Sequence, residues 1–270
     1  MRIALTRDPA QAGPLEAGLR SAGLQVQFLP VTEQRLPEDV SELTTALDRL
    51  RAGDFDWVFF TSANTVRALA KLGWDGRVPE GARVGVVGPG TAHVLAELTN
   101  ITEPWMPAGE KSAAGVIQEI PGPVSGSGSR ILLPQSAQAR SELREGLEAL
   151  GWKVTQVSAY ETDCLVVDGE LAEGTPERRL LPPPDAADIL DLEQVSAALR
   201  RDRLTGVDAV VVLVTSSSAA DALADLGVPE RVRLLAIGRP TARTLLRRGI
   251  PAARVLPEPR ADAVLAALGR

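Results

Sequence analysis

The stretch Asp56-Trp57-Val58-Phe59-Phe60-Thr61-Ser62-Ala63-Asn64 is apolar from Trp57 to Phe60 and turns polar at once. A short run that is apolar on both pleat faces belongs to a strand covered by helices on both sides. The hydroxyl and amide groups of Thr61, Ser62 and Asn64 suit the first turn of a following helix. Val66, Leu69, Ala70 and Leu72 give that helix an apolar stripe, and Gly73 closes it. Strand, cap and helix in so short a span form the unit of a parallel α/β fold.

The same unit recurs in both directions. Arg2 to Leu5 predicts a strand, Leu15 to Ala22 a helix ending at Gly23, and Leu24 to Leu29 a second strand. Ala82 to Val87 predicts another strand, interrupted by Gly88-Pro89-Gly90 and followed by a helix from Thr91. Further on come Arg130 to Leu133, a helix to Leu150, Gly151 and a strand to Val157. Asp208 to Val214 leads into Thr215-Ser216-Ser217-Ser218 and a helix to Gly227, and Leu234 to Ile237 leads through Gly238 to a helix from Thr241. Strands alternating with helices of this length imply parallel sheets.

The recurrence keeps fixed offsets, which a shared fold type alone does not require. Arg130-Ile131, Gly151 and Val154 repeat Arg2-Ile3, Gly23 and Val26 at 128. Thr215-Ser216, Leu223 and Gly227 repeat Thr61-Ser62, Leu69 and Gly73 at 154, and Gly238 and Ala242 repeat Gly88 and Ala92 at 150. The chain reads as two copies of one half-molecule. Pro121 to Ser129 and Asp168 to Arg203 break the copy as surface loops, the second with a short helix expected over Asp191 to Leu199.

Composition narrows the function. The 270 residues carry 29 Lys+Arg against 35 Asp+Glu, one His and one Cys. Cys164 alone rules out an intramolecular disulfide, and His93 alone rules out a multi-histidine metal site within the chain. An acidic balance with 3% aromatic residues argues against a nucleic-acid groove built on stacking rings. No apolar run approaches the roughly 18 residues of a membrane span, and Arg2, Arg7 and Asp8 sit where a signal peptide needs its apolar core. The expectation is a cytoplasmic protein that engages neither nucleic acid nor membrane.

Polar groups at the carboxyl ends of parallel strands line the crevice where α/β proteins bind ligands. Four tips qualify, and their candidate ligand contacts are Thr61, Ser62, Gly90, Thr91, Thr215, Ser216, Ser217, Gly238 and Thr241. Their hydroxyls and free backbone N–H groups grip carboxylates or phosphates, although each is also an ordinary helix cap. Gly88-Pro89-Gly90 lacks the third glycine of a dinucleotide loop, and no Gly-Lys-Ser/Thr phosphate loop occurs. His93 reads as a helix-surface residue and Cys164 as inert packing, so no nucleophile–base pair emerges. Tyr160, the one tyrosine, is either a structural ring or a proton donor to a leaving group. Arg7, Arg67 and Lys111, and also Arg140 and Arg239, lie near the tips as candidate anion contacts.

Taken in order, these features resemble the uroporphyrinogen-III synthase family. The resemblance rests on Ile3-Ala4-Leu5-Thr6-Arg7, Val58 to Asn64 with Val66, Val87-Gly88-Pro89-Gly90-Thr91-Ala92, Tyr160-Glu161-Thr162, the second Thr-Ser tip, and Ile237-Gly238 with Thr241-Ala242. It implies two parallel-sheet α/β domains of similar topology joined by a two-stranded β linker, the first domain discontinuous. Carried over, domain one is 1–31 plus 165–270, domain two is 38–157, and 32–37 with 158–164 form the linker. The resemblance also implies a cytoplasmic enzyme that closes hydroxymethylbilane to uroporphyrinogen III without metal or organic cofactor. It gives Tyr160 a part in loss of the substrate hydroxyl, and Thr91, Ser216 and Thr241 cleft positions opposite Thr61 and Ser62. A monomer that receives its substrate in a transient handover from the bilane-forming deaminase completes that expectation. Two departures stand out: Arg239-Pro240 replaces small residues, and the break from Asp168 to Arg203 is long. A noncatalytic tetrapyrrole or small-anion binder and a structural interaction protein are the competing readings.

Overall fold

Trp57 and Phe59 pack into one apolar cluster and Val58 and Phe60 into another, so their strand is covered on both faces. The computed structural model describes residues 1–11, 13–123, 129–168, 170–171, 174, 177–182, 189–190, 210–228 and 232–269. Its first half contains β1 (Arg2–Leu5), α1 (Pro14–Ser21), β2 (Gln25–Phe28), β3 (Thr32–Arg35), α2 (Ser41–Arg51), β4 (Trp57–Phe60), α3 (Ala63–Lys71), β5 (Arg83–Val86), α4 (Pro89–Leu98) and α5 (Ala113–Glu119). There follow β6 (Arg130–Ser136), α6 (Glu142–Ala149), β7 (Lys153–Cys164), β8 (Val166–Val167), β9 (Glu170–Leu171), β10 (Val210–Val214), α7 (Ser217–Leu226), β11 (Arg233–Ile237), α8 (Gly238–Arg247), β12 (Arg254–Leu256) and α9 (Ala261–Ala267). The helix expected over Asp191 to Leu199 lies outside the described residues, as does most of the loop from Pro121 to Ser129.

The chain divides into two compact units, Met1–Glu33 with Asp163–Pro176 and Leu181–Arg270, and Gln34–Thr162 with Glu177–Leu180. The first holds a sheet in the order β12-β11-β10-β1-β2, and the second sheet runs β3-β7-β6-β4-β5. In the first unit Ile3, Leu5, Val211 and Leu213 pack against α1 and α9, and Ala4, Val210, Val212 and Val214 face α7 and α8. In the second, α2, α3 and α4 cover one face, and α5 and α6 the other. The strands are therefore apolar on alternate residues toward both sides, as parallel strands require.

Hydrogen-bonded register follows the sequence offsets residue for residue. Ile3 opposes Val211 in the first sheet and Ile131 opposes Trp57 in the second, positions 128 and 154 apart. Gln25 opposite Arg2 matches Lys153 opposite Arg130, and Arg233 opposite Val211 matches Arg83 opposite Trp57. The outer strand has a counterpart too, since Arg254 pairs with Leu235 as Trp105 bridges Gly85. Gly23 and Gly151 close the matched helices α1 and α6 at φ 77° and 94°, a left-handed conformation that glycine adopts without a Cβ penalty.

Packing differs where register agrees. Phe59 opposes Gly85 in the second unit, and Leu213 opposes Leu235 in the first. A Cβ on Gly85 would lie 2.3 Å from the fully buried Phe59 ring, so the pair divides its volume unequally. Trp105 then meets the edges of Trp57 and Phe59 at 5.7 Å. Part of the long break also returns to a sheet edge: Leu180 N–H donates to Gln34, Leu36 N–H donates to Arg178, and Arg35 bridges Arg179 antiparallel.

Candidate functional site

The four tips lie at the carboxyl ends of β4, β5, β10 and β11, but two of their helices begin earlier than the sequence suggests. α4 starts at Pro89 and α8 at Gly238, so Thr91 and Thr241 stand inside the first turn rather than before it. Proline at the first helical position costs no hydrogen bond and fixes a helical φ, which explains the early start of α4. Gly238 opens α8 at φ 75°. Thr91 and Thr241 are 7% and 3% exposed, and neither hydroxyl hydrogen-bonds a described residue. The caps Gly88 and Ile237 contribute no side-chain bond, and in α4 the Thr91 and Ala92 N–H groups donate to the Gly88 carbonyl instead.

The two serine tips behave otherwise. Ser62 Oγ accepts from Asn64 N–H at 3.2 Å, and Ser216 Oγ accepts from Ala219 N–H at 3.1 Å, both as helix N-caps. Thr215 is tied to its neighbouring strand: its N–H donates to Thr6 Oγ1 at 3.0 Å and its hydroxyl to the Thr6 carbonyl at 3.1 Å. Thr61 has a looser partner, the Gln135 side-chain amide at 3.5 Å. Ser217 starts α7 with its hydroxyl unbonded to any described residue, and Gly90 is an exposed second residue of α4 with open space where a Cβ would stand.

Tyr160 is 9% exposed and packs in the cluster that also contains Val157 and Ala159. Neighbouring residues of a regular strand point to opposite faces, so Ala159 and Tyr160 share a core only because β7 bulges there. The pairing passes from Gln135 opposite Ser158 to Ser136 opposite Tyr160, skipping Ala159. The phenol oxygen has no hydrogen-bond partner among the described residues. β6 lies between β4 and β7, so Gln135 stands between the strand ending at Thr61 and the strand carrying Tyr160.

The basic candidates separate sharply. The Arg7 guanidinium is held below its usual range by burial, with Glu16 acting in the opposite direction, and its Nε–H has no partner. Arg67 donates to Asn64 Oδ1 at 3.0 Å within α3. Lys111 is turned back on its own loop, donating to the carbonyls of Pro107 and, at 3.2 Å, Ala108. Glu119 accepts the N–H groups of Ala108 and Gly109 in the same loop, and these bonds hold its carboxyl below the ordinary range. Arg239 and Arg243 flank a groove of about 620 Å³ between α8 and the end of β12, and neither pairs with a described residue. Cys164, expected in packing, is exposed, its sulfur bonded only to the backbone of Val166.

Sequence reasoning missed Thr6 and Gln135. Both are buried at strand ends, 2% and 5% exposed; the 128-residue offset matches Gln135 to Arg7 in the repeat and so could have found it, whereas Thr6 maps to Pro134 and carries no such signal. Gln135, Thr61 and Arg140 line a cleft of about 300 Å³ in the second unit, with Val87, Ala113 and Leu143 as its apolar wall. Among the described residues no group of three or more His, Cys, Asp or Glu is placed to hold a metal ion. No described helix is long and apolar enough to cross a membrane.

The fold and these strand ends define a two-unit, doubly covered α/β protein with hydroxyls gathered at the carboxyl ends of its parallel strands. A family model described as uroporphyrinogen-III synthase HemD matches residues 13–266, and the chain belongs to that family. It is 32% identical over 169 residues to the uroporphyrinogen-III synthase of Synechococcus elongatus, an alignment covering 60% of this chain and 61% of that protein. It is 27% identical over 164 residues to the chloroplastic uroporphyrinogen-III synthase of Oryza sativa subsp. japonica, covering 59% and 53%. The chain thus spans less than two thirds of the length of these relatives. The crystal structure of uroporphyrinogen-III synthetase from Helicobacter pylori shares the fold, with a TM-score of 0.55 at 18% identity over the whole of both chains.

Proposed function

We propose that the chain converts hydroxymethylbilane into uroporphyrinogen III, closing the linear tetrapyrrole with loss of water and inversion of ring D. The observation that carries this reading is the set of hydroxyls without a hydrogen-bond partner among the described residues: Thr91, Thr241 and Ser217 in the first turns after strand ends, with the Tyr160 phenol. Distributed neutral donors suit a flexible polycarboxylate better than one strong cation would, because each fixes a geometry without neutralising a charge.

In the proposed reaction Tyr160 donates its proton to the hydroxymethyl oxygen, the C–O bond breaks, and water leaves with the bond pair. The pyrrole nitrogen lone pair replaces those electrons and leaves an azafulvene. Its methylene carbon bonds to the substituted carbon of ring D to give a spiro intermediate. Fragmentation of the neighbouring bond and closure at the other side invert the ring, and the ring proton then lost returns to the Tyr160 oxygen.

Substrate contacts in this reading are Thr61, Ser62, Gly90, Thr91, Thr215, Ser216, Ser217, Gly238 and Thr241, with Arg7 and Arg67 on the anionic arms. Lys111 joins them only by releasing its loop carbonyls. Residues 1–31 with 165–270 and residues 38–157 act as the two domains, with 32–37 and 158–164 passing between them. The chain works as a cytoplasmic monomer, takes the bilane in a transient handover from the deaminase that makes it, and needs no metal or organic cofactor.

The experiment is a timed assay with freshly generated hydroxymethylbilane, followed by oxidation and separation of the uroporphyrin isomers. Isomer III in excess over spontaneous isomer I is the expected result. Isomer I at the rate seen without protein, from a folded preparation that still binds the bilane, would make the chain a noncatalytic tetrapyrrole or anion binder.

A further inference from the structure

Tyr160 stands at a bulge, and β7 is held differently on its two sides there. Toward β6 the Tyr160 carbonyl accepts the Ala137 N–H at 2.8 Å, while Ala159 is skipped in the pairing. A bulge bends its strand and interrupts the ladder, so the direction of a side chain at that point depends on what holds the strand just beyond it. Just beyond it is Glu161, and it is held from the β3 side. Arg178 Nη2 donates to Glu161 Oε2 at 3.1 Å, and Arg35 Nε lies 3.5 Å from the same oxygen.

Arg178 belongs to the break from Asp168 to Arg203, the part of the chain that the repeat does not account for. Residues 177–180 lie within the second unit and run antiparallel beside the end of β3. Arg178 Nε donates to the Leu36 carbonyl at 2.8 Å, and Lys71 Nζ, at the end of α3, donates to the Arg179 carbonyl at 2.7 Å. Leu180 packs against the apolar cluster that contains Leu36 and Tyr160. The segment thus reaches the surroundings of Tyr160 twice, by charge at Glu161 and by packing at Leu180. Covering an edge strand accounts for its backbone bonds. It does not account for the guanidinium turned to Glu161, because an ion pair whose side chains stay 25% and 29% exposed adds little stability. What that pair adds is geometry: a planar fork with Nε on the Leu36 carbonyl and Nη2 on the Glu161 carboxylate fixes one against the other.

We propose that Arg178 is a positioning residue: by holding Glu161 it sets the bulged strand so that the Tyr160 phenol is directed at the substrate's hydroxymethyl oxygen. The proposal rests on the bilane-cyclising reading for what the phenol protonates; the hold of Arg178 on the strand that carries Tyr160 does not.

The test uses the whole chain with Arg178→Leu, with Glu161→Gln, with both, and with the exchanged pair Arg178→Glu and Glu161→Arg. Tyr160 is the one tyrosine, so isotope-labelled tyrosine gives NMR signals from that ring alone. Arg178→Leu and Glu161→Gln should each move those signals. In the bilane assay each should lower kcat for isomer III roughly tenfold with KM kept within about twofold, the pattern of a misplaced group rather than of lost binding. The double variant should be no worse than either single one, because both remove the same interaction. The exchanged pair should recover part of kcat and bring the ring signals back toward their original positions. A role in edge covering alone would lower the melting temperature and leave both the ring signals and the kcat of the folded protein as they were, and that outcome overturns the proposal. Fully additive losses in the double variant overturn it as well. Absence of isomer III from the unmodified chain, with ring signals that still move in Arg178→Leu and return in the exchanged pair, sinks the bilane reading and leaves the positioning of Tyr160 standing.

Discussion

The sheets of the two units share one register and spend their strand-end polar groups differently. In the first, Thr6 and Thr215 exchange two hydrogen bonds of 3.0 and 3.1 Å and lock β1 to β10. In the second, the corresponding contact is one weak bond of 3.5 Å from Gln135 to Thr61, beside a strand that bulges to present Tyr160. A duplicated frame needs its apolar faces kept in step, because one residue of slip exposes the whole core side of a strand. The tips carry no such constraint, so they are where two copies of one half-molecule diverge into a rigid end and an open one.

Replacing Tyr160 by Phe should have the largest effect, since it removes a phenol hydroxyl without a partner among the described residues and nothing from the ring's packing. Isomer-III formation should fall about a hundredfold or more, the usual scale of a lost general acid, with melting unchanged. An unaltered initial velocity would leave Tyr160 as a structural ring. Gly85→Ala tests the unequal packing pair next. Its Cβ meets the Phe59 ring, and about 1–3 kcal/mol of stability should be lost in denaturant unfolding. The double variant Gly85→Ala with Phe59→Leu should recover part of that, by moving the pair toward the first unit's Leu213 and Leu235.

The rigid and open ends can be compared directly through Thr6→Val and Thr61→Val. The first leaves the Thr215 N–H without its acceptor and should cost about 1–3 kcal/mol, and the second, losing one long bond, should cost less than about 1 kcal/mol. Equal costs would erase the distinction. The smallest difference is expected between Ser62→Ala and Ser216→Ala, each removing one N-cap worth about 1 kcal/mol. A larger loss at Ser216 would show that its contact with Ser218, at 3.1 Å, strengthens that cap.

Much of the frame is legible in residue order. The run from Trp57 to Phe60, the glycines at 23 and 151 and the fixed offsets are all local or periodic signals, and β4, α1, α6 and the register follow them. α2 went unread, although the stripe of Leu43, Ala46, Leu47 and Leu50 carries a helical period. Helix starts were less legible: Thr91 looks like a cap in sequence, yet Pro89 satisfies the first helical position sooner. β12 is too short for a periodic signal, three residues held by pairing with β11.

The candidate site divides along the same line. Its residue types at the strand tips can be named from sequence because a polar residue directly after a buried strand has few places to go. Which of those groups remain available is a matter of partners, and partners come from distant segments. Thr215 is consumed by Thr6, 209 positions away in the chain, while the Thr241 hydroxyl has no partner among the described residues. Tyr160 enters the same core as Ala159 only because one residue of β7 goes unpaired against β6. Sequence by itself determined the repeated frame, since apolar periodicity and glycine caps act over a few residues and are copied with the chain. Tertiary structure decided which polar groups hold strands together and which remain for a ligand, since hydrogen bonds between strand ends depend on segments that only folding brings side by side.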